Sequence, residues 1–173
     1  MESRTPSGEL KPAPNISVRS VETHSDAIQM AWVRNQVRQF MTHDTHFILP
    51  EEQERWFEGT YKPARERHEM VGFLMHDGAL PVGYGLISQR EGAFWVSGGL
   101  IPDARGQGHG ERLFSFLTAY TVGLLDHPEV MLDVLETNKP ARELYEKIGY
   151  VAIEPQEQEG IIVMKYEAPN ARS

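Results

Sequence analysis

The segment Asp103 to Leu113, DARGQGHGERL, sets Gly106, Gly108 and Gly110 at alternate positions between a basic residue and the start of an apolar helical pattern. Glycine inside a helix or strand costs roughly 0.5–1 kcal/mol relative to alanine, so this spacing marks a backbone that something approaches closely. A strand-to-helix turn aims unpaired backbone N–H groups and the positive end of a helix dipole at one spot, where an anion fits without Cβ clashes. Arg105 and Arg112 add charge at the rim. The loop lacks the Gly-Lys-Ser/Thr of a triphosphate loop and the GxGxxG spacing of a dinucleotide site, so both readings lose ground. A second segment, LDVLETNKPARELYEKIGY from Leu132 to Tyr150, carries a helix-capping Asn138 and, seven residues on, Tyr145. Almost two turns apart, they point the same way. The phenol is a proton donor, although Ala141, Leu144, Tyr145 and Ile148 also read as an ordinary core stripe. A third segment, FMTHDTHF, offers His43, Asp44 and His46 as acid–base groups. HxxH without a third ligand is a poor metal signal, and no metal is expected.

These groups need elements to hold them. Ile16 to Val21 reads as a short strand, and Thr23, Ser25 or Asp26 caps a helix running through Ile28, Met30 and Val33. Pro50, followed by acids, opens a second helix. His68 to His76, Val82 to Ser88 and Ala93 to Ile101 are β-type runs that form an antiparallel meander. Gly98-Gly99 within the last of them predicts a bulge or a close backbone approach. After the glycine loop, Leu113, Phe116, Leu117, Tyr120 and Leu124 share a helical stripe, and Val130 to Leu135 is a strand. A helix from Asn138 to Ile148 and strands near Val151 and at Ile161 to Tyr166 complete a mixed-sheet α/β domain over 15–167. Residues 1–14, with three prolines, and 168–173 are expected to be tails.

Composition narrows the partners. A chain of 173 residues is expected to be one domain, and 17 Lys and Arg against 25 Asp and Glu argue against a nucleic-acid binder. Any anionic ligand needs a local basic pocket. The absence of cysteine removes disulfides, thiolate metal sites and a cysteine nucleophile. No apolar run is long enough for a membrane span and the N-terminus lacks a secretory h-region, so a cytoplasmic location is expected.

Together the first two segments resemble the Gcn5-related N-acetyltransferase (GNAT) superfamily. Its Arg/Gln-x-x-Gly-x-Gly/Ala pattern is matched by Arg105, Gly108 and Gly110, and its Asn, seven residues, then Tyr pattern by Asn138 and Tyr145, with Gly149 following. The resemblance implies a mostly antiparallel central sheet of about six or seven strands flanked by about four helices. It also implies acetyl-CoA as co-substrate. By resemblance, Arg105 and the backbone of Gly106, Gln107, Gly108, His109, Gly110 and Glu111 cradle the pyrophosphate. Asn138 and Arg142 lie along the pantetheine arm, Tyr145 sits by the thioester sulfur, and the fourth and fifth strands splay to admit the arm. The backbone N–H of Leu100 or Ile101 is then the candidate contact for a carbonyl oxygen gaining charge, and Tyr145 the candidate acid.

The acceptor is a separate question. Many family members carry a glutamate base on the fourth strand, but Ala93 to Ser97 holds no carboxylate, which leaves a water relay or His43, Asp44 and His46. Trp32-Val33-Arg34-Asn35, Val37-Arg38, Met41 and Glu51 to Phe57 resemble acetyltransferases of nucleotide-linked amino sugars and, in part, ribosomal-protein N-terminal acetyltransferases. On that resemblance Arg34, Asn35 and Arg38 meet the substrate, along with His43, His46, Trp95 and Ser97. The expected partner is a small-molecule primary amine, with a nucleotide-linked amino sugar one candidate. A protein N-terminus is the alternative within enzymes, and a non-catalytic acyl-CoA sensor is the alternative outside them. A homodimer is common in the family.

Overall fold

The computed structural model describes residues 15–169. The expected N-terminal tail and residues 170–173 of the expected C-terminal tail lie outside the described residues. A single seven-stranded sheet runs in the order β1-β2-β3-β4-β5-β7-β6. Its strands are β1 Ile16–Ser20, β2 Met70–Asp77, β3 Leu80–Arg90, β4 Ala93–Leu100, β5 Glu129–Leu135, β6 Val151–Ala152 and β7 Ile161–Glu167. Neighbours are antiparallel except β4 and β5. That exception organises the molecule. The parallel pairing consists of Phe94 with Val130 and Trp95 with Met131, whereas β4 stays in register with β3 along its length and β5 with β7. Beyond Trp95 the two strands part.

Helix α1 (His24–Gln36) begins at Thr23, whose hydroxyl accepts from the Asp26 N–H while Asp26 caps the Thr23 N–H in return. Asp26 is buried, and its carboxylate meets the Arg19 guanidinium at 2.6 Å. The helix expected at Pro50 is longer than its start signal shows. Helix α2 (Pro50–Trp56) passes through a π-helical turn, Phe57–Tyr61, into α3 (Lys62–Glu66). Pro63 has no N–H to continue the ordinary ladder, and the Lys62 N–H bonds back to the Phe57 carbonyl. Helices α4 (His109–Gly123) and α5 (Lys139–Ile148) pack on each other beside the strand opening. With α2 and α3 continuous, four α-helical segments flank the sheet among the described residues.

Val130, Leu132 and Val134 of β5 are buried, as are Leu113 and Leu117 of α4, with Phe116 and Tyr120 partly buried against the core; Leu124, expected on the same stripe, falls just past the end of α4 and is exposed. Of the two readings of Gly98-Gly99, close approach holds and the bulge does not. No bulge interrupts β4, whose pairing with β3 is continuous from Ala93 to Leu100. The glycine pair serves close approach instead: a Cβ at Gly98 would lie 2.3 Å from the Tyr84 carbonyl oxygen, and one at Gly99 would lie 2.9 Å from Val37. The bulge in the sheet falls between Met75 and His76 of β2. Among the described residues, no helix is long and apolar enough to cross a membrane.

Candidate active site

The strand opening continues into a cleft of about 800 Å³ that runs between β4, β5, α4 and α5 to the glycine loop. At its mouth Gly106 and Gly108 hold positive φ angles of 75° and 82°, with nothing within 4 Å of where a Cβ would stand. Helix α4 starts at Gly108 with no side-chain cap, so the N–H groups of its first turn remain open to an anion. Gly110 has a different reason to be small: a Cβ there would stand 3.1 Å from Leu144, so its absence lets α4 approach α5. Arg105 is fixed at the mouth, donating from Nε to the Leu100 carbonyl at 3.3 Å and lying 4.9 Å over the Phe40 ring.

The register of β3 and β4 decides which backbone N–H faces the cleft. Ile101 donates to the Val82 carbonyl at 2.9 Å, so its N–H is committed to the sheet and is not the oxyanion contact. Leu100, one residue earlier and opposite Gly83, occupies a non-hydrogen-bonded position, and its N–H points away from β3 into the space that β5 has left. Asn138 caps α5 by accepting from the Ala141 N–H and lines the cleft, and its NH₂ has no hydrogen-bond partner among the described residues. Tyr145 also lines the cleft, its ring edge-on to Phe114 and Tyr150. Its hydroxyl has no hydrogen-bond partner among the described residues, and burial first, then the neighbouring Tyr150, Tyr84 and Asp133, pushes the phenol well above its ordinary range. It holds its proton.

One expected contact, Arg142, lies elsewhere, and two residues expected through their backbone, Gln107 and His109, turn their side chains to other partners or the interior. The His109 side chain is buried with Nδ1 unpaired, Gln107 bonds to the Asp103 carbonyl, and Arg142 bonds to the Glu136 carbonyl. Their side chains do not line the cleft; His109 and Gln107 retain their place only through the backbone. Arg112 is exposed and also absent from the cleft wall. Glu111 does line it, paired with Lys147 at 2.8 Å.

On the other side of the opening lies a second pocket, about 440 Å³, walled by α1, α2, the loop carrying residues 41–48, and β3 to β5. Trp56, Trp95, Ser97, His43 and His46 line it. Arg34 reaches the wall, but its guanidinium donates to the His46 and Asp44 carbonyls, both at 2.6 Å. Asn35 is spent the same way, bonding the Ile48 carbonyl and N–H at 2.9 Å each, and Arg38 lies outward over the Phe47 ring. Thus Asn35 and Arg38 do not face the pocket; Arg34 and Asn35 shape the loop that does. The residue that sequence reasoning missed is Asp133. Its carboxylate accepts from Thr42 at 2.6 Å and from His43 at 2.7 Å, with Arg90 at 3.8 Å, and it lines both cleft and pocket. The signal was an acid between Leu132 and Val134, which puts its side chain on the opposite face from that buried pair. Arg90 in turn stacks 4.1 Å over Trp95.

A sheet opened between parallel neighbours, with an anion cradle at one end and an open backbone N–H and phenol at the other, defines a transferase for activated acyl groups. Residues 33–150 match the profile of the Acetyltransferase (GNAT) family, and the chain belongs to it. Solved structures of the same fold include a ribosomal-protein-S5-alanine acetyltransferase from Vibrio fischeri, 15% identical with TM-score 0.75 over 94% of this chain and 98% of that one. A spermidine N-acetyltransferase from Vibrio cholerae, solved with CoA and spermine, is 17% identical with TM-score 0.69 over 88% and 95%. A nucleotide-linked sugar GNAT is 16% identical with TM-score 0.70 over 88% and 86%. No curated protein matches by sequence.

Proposed function

We propose that this chain is an acetyl-CoA-dependent N-acetyltransferase that transfers acetyl directly to a primary amine of a small molecule. The observation that carries the reading is the junction: Met41, Thr42, Val96, Ser97 and Asp133 line both the donor cleft and the second pocket. A donor held on one side and an amine on the other would meet at the β4–β5 opening. When bound, acetyl-CoA supplies an acetyl group activated as a thioester. The chain's own residues do the rest. Arg105 and the open amides of the α4 start bind the pyrophosphate, and the Asn138 NH₂ holds the arm. The Leu100 N–H receives the carbonyl oxygen as it gains charge, a contact of a kind that contributes about 3–4 kcal/mol. Tyr145 keeps a proton beside the departing sulfur. A thiol ionises near 8.5, so full transfer from a phenol held above 10 is uphill by more than about 2 kcal/mol, and Tyr145 acts first as a hydrogen-bond donor. The chain has no cysteine to carry acetyl as a thioester intermediate, which supports direct transfer.

The pocket favours a compact amine. Its polar lining includes Asp44, Glu52 and Asp133, with Arg90 over the Trp95 ring as a contact for an anionic or planar neighbouring group. A nucleotide-linked amino sugar would therefore be met by Arg90 rather than by Arg34. N-terminal peptide acetylation is the second reading, favoured by the carboxylates of Asp44 and Glu52 where an ammonium would enter. Thiol release from acetyl-CoA, measured against amino-sugar nucleotides, polyamines, aminoglycosides and N-terminal peptides, tests both. Turnover of a small amine supports the first reading, preference for peptides supports the second, and tight donor binding without turnover on any amine points to a sensor.

A further inference from the structure

The transfer needs a group that accepts the amine proton, and β4 offers none. We propose that His43 is the general base of the transfer, oriented by Asp133 on β5; this rests on the direct-transfer reading above. His43 lines the amine pocket, and its Nε2 lies 2.7 Å from Asp133 Oδ2. A carboxylate at that distance places the imidazole proton on Nε2 and leaves Nδ1 as the basic nitrogen. Asp133 is held in turn by the Thr42 hydroxyl on Oδ1, so both of its oxygens are engaged and it serves as the positioning residue. Its place at the junction of cleft and pocket sets the imidazole beside the opening.

The other candidates are otherwise occupied. His46 bonds Asp44 through Nδ1 and Glu52 through Nε2, which leaves no free lone pair on the ring. Those two bonds, Asp44 first, raise the His46 imidazole above its ordinary value and favour its protonated form, so it is less available to accept the amine proton. The groups around His43 are Thr42, Asp44 and His46 on its own loop, Asp133 on β5, Arg90 on β3, Arg34 on α1 and Glu52 on α2. Arg34 is tied to loop carbonyls and Arg90 stands 3.8 Å from Asp133, so the carboxylate that touches His43 is Asp133. The step balances: the amine lone pair forms the new C–N bond, and one N–H proton moves to Nδ1. The C–S electron pair departs on sulfur, next to the Tyr145 hydroxyl. Neutral imidazole becomes imidazolium facing a carboxylate, and solvent later takes the proton.

The test compares wild type, His43→Ala and Asp133→Asn, using whichever of spermidine, an alanyl peptide and a nucleotide-linked amino sugar wild type turns over fastest. It follows kcat/KM against pH, with and without added imidazole, and CoA affinity by titration calorimetry. A positioned general base contributes about 10²–10⁴-fold, so His43→Ala is expected to lose at least about 100-fold in kcat/KM, with CoA affinity within about threefold. Added imidazole should restore at least about tenfold of that loss, which a structural role for His43 does not allow. Asp133→Asn, folded by its thermal transition, is expected to lose about 10–100-fold and to displace the acid limb of the profile. A wild-type pH profile in His43→Ala, or a loss that imidazole leaves untouched, overturns the base. An unmoved acid limb in Asp133→Asn overturns its positioning role. Absence of turnover by wild type on all three amines overturns the small-amine reading itself and the base with it, whereas the variant results overturn the base alone.

Discussion

Gly98→Ala should unsettle the wall on which the donor cleft is built. The added Cβ would stand 2.3 Å from the Tyr84 carbonyl oxygen and 3.2 Å from the Gly85 Cα, both backbone atoms of β3. Ordinary C···O contacts begin near 3.3 Å, so β3 and β4 must separate by about 1 Å at this point. Overpacking of this kind costs about 1–3 kcal/mol, and a stretched ladder hydrogen bond adds about 1 kcal/mol. Replacing glycine returns about 0.5–1 kcal/mol of unfolded-chain entropy. The net expectation is a destabilisation of about 2 kcal/mol, or a Tm lower by about 4–8 °C for a chain of this size. Gly59→Ala provides the matched control: it lies in the π-helical turn with nothing within 4 Å of its Cβ position, and should hold or raise Tm. Calorimetric unfolding of the two variants beside wild type measures this. Gly98→Ala melting within about 1 °C of wild type would refute the claim that close approach of β3 and β4 is why this strand carries a glycine there.

Asp26 gives a pH signature of the fold. Burial alone would raise its carboxyl, but the Arg19 guanidinium and the N–H groups of Glu22 and Thr23 outweigh it and hold the group at about 2 rather than 3.8. A depressed folded value stabilises above the unfolded value, so about 2 kcal/mol is present at pH 7 and lost as pH falls from about 4 to about 2. Asp26→Asn should be less stable at neutral pH by up to that amount and should converge on wild type near pH 2 in urea titrations. Tyr145→Phe removes the free hydroxyl while keeping the ring against Phe114 and Tyr150. Turnover should fall at least about tenfold with acetyl-CoA affinity within about threefold, and unchanged turnover would end the hydroxyl's assignment to the sulfur.

The donor side was open to sequence reasoning because its signals are local. Gly106 and Gly108 sit next to the helix they start, and Asn138 and Tyr145 lie on one short helix, so the family patterns that pointed to them are short and contiguous, and all four residues line one cleft. Choosing between Leu100 and Ile101 required the β3–β4 register, since a single residue reverses the direction of an N–H in an antiparallel ladder. The acceptor side depends on contacts between distant segments. Asp133 meets Thr42 and His43 across some ninety residues of chain, and no local pattern announces such a pair. The resemblance of their segment assigns Arg34 and Asn35 to the substrate. Their actual partners are backbone atoms of a loop whose path the sequence does not encode in any short motif.

The most direct test of the account mixes the protein with acetyl-CoA and counts thiol released against N-acetylated product by mass spectrometry, with and without amine. Transfer across the β4–β5 opening predicts release that depends on amine and one acetylated amine for each thiol. Thiol release that ignores the amine, or donor binding with no release for any amine, would contradict it.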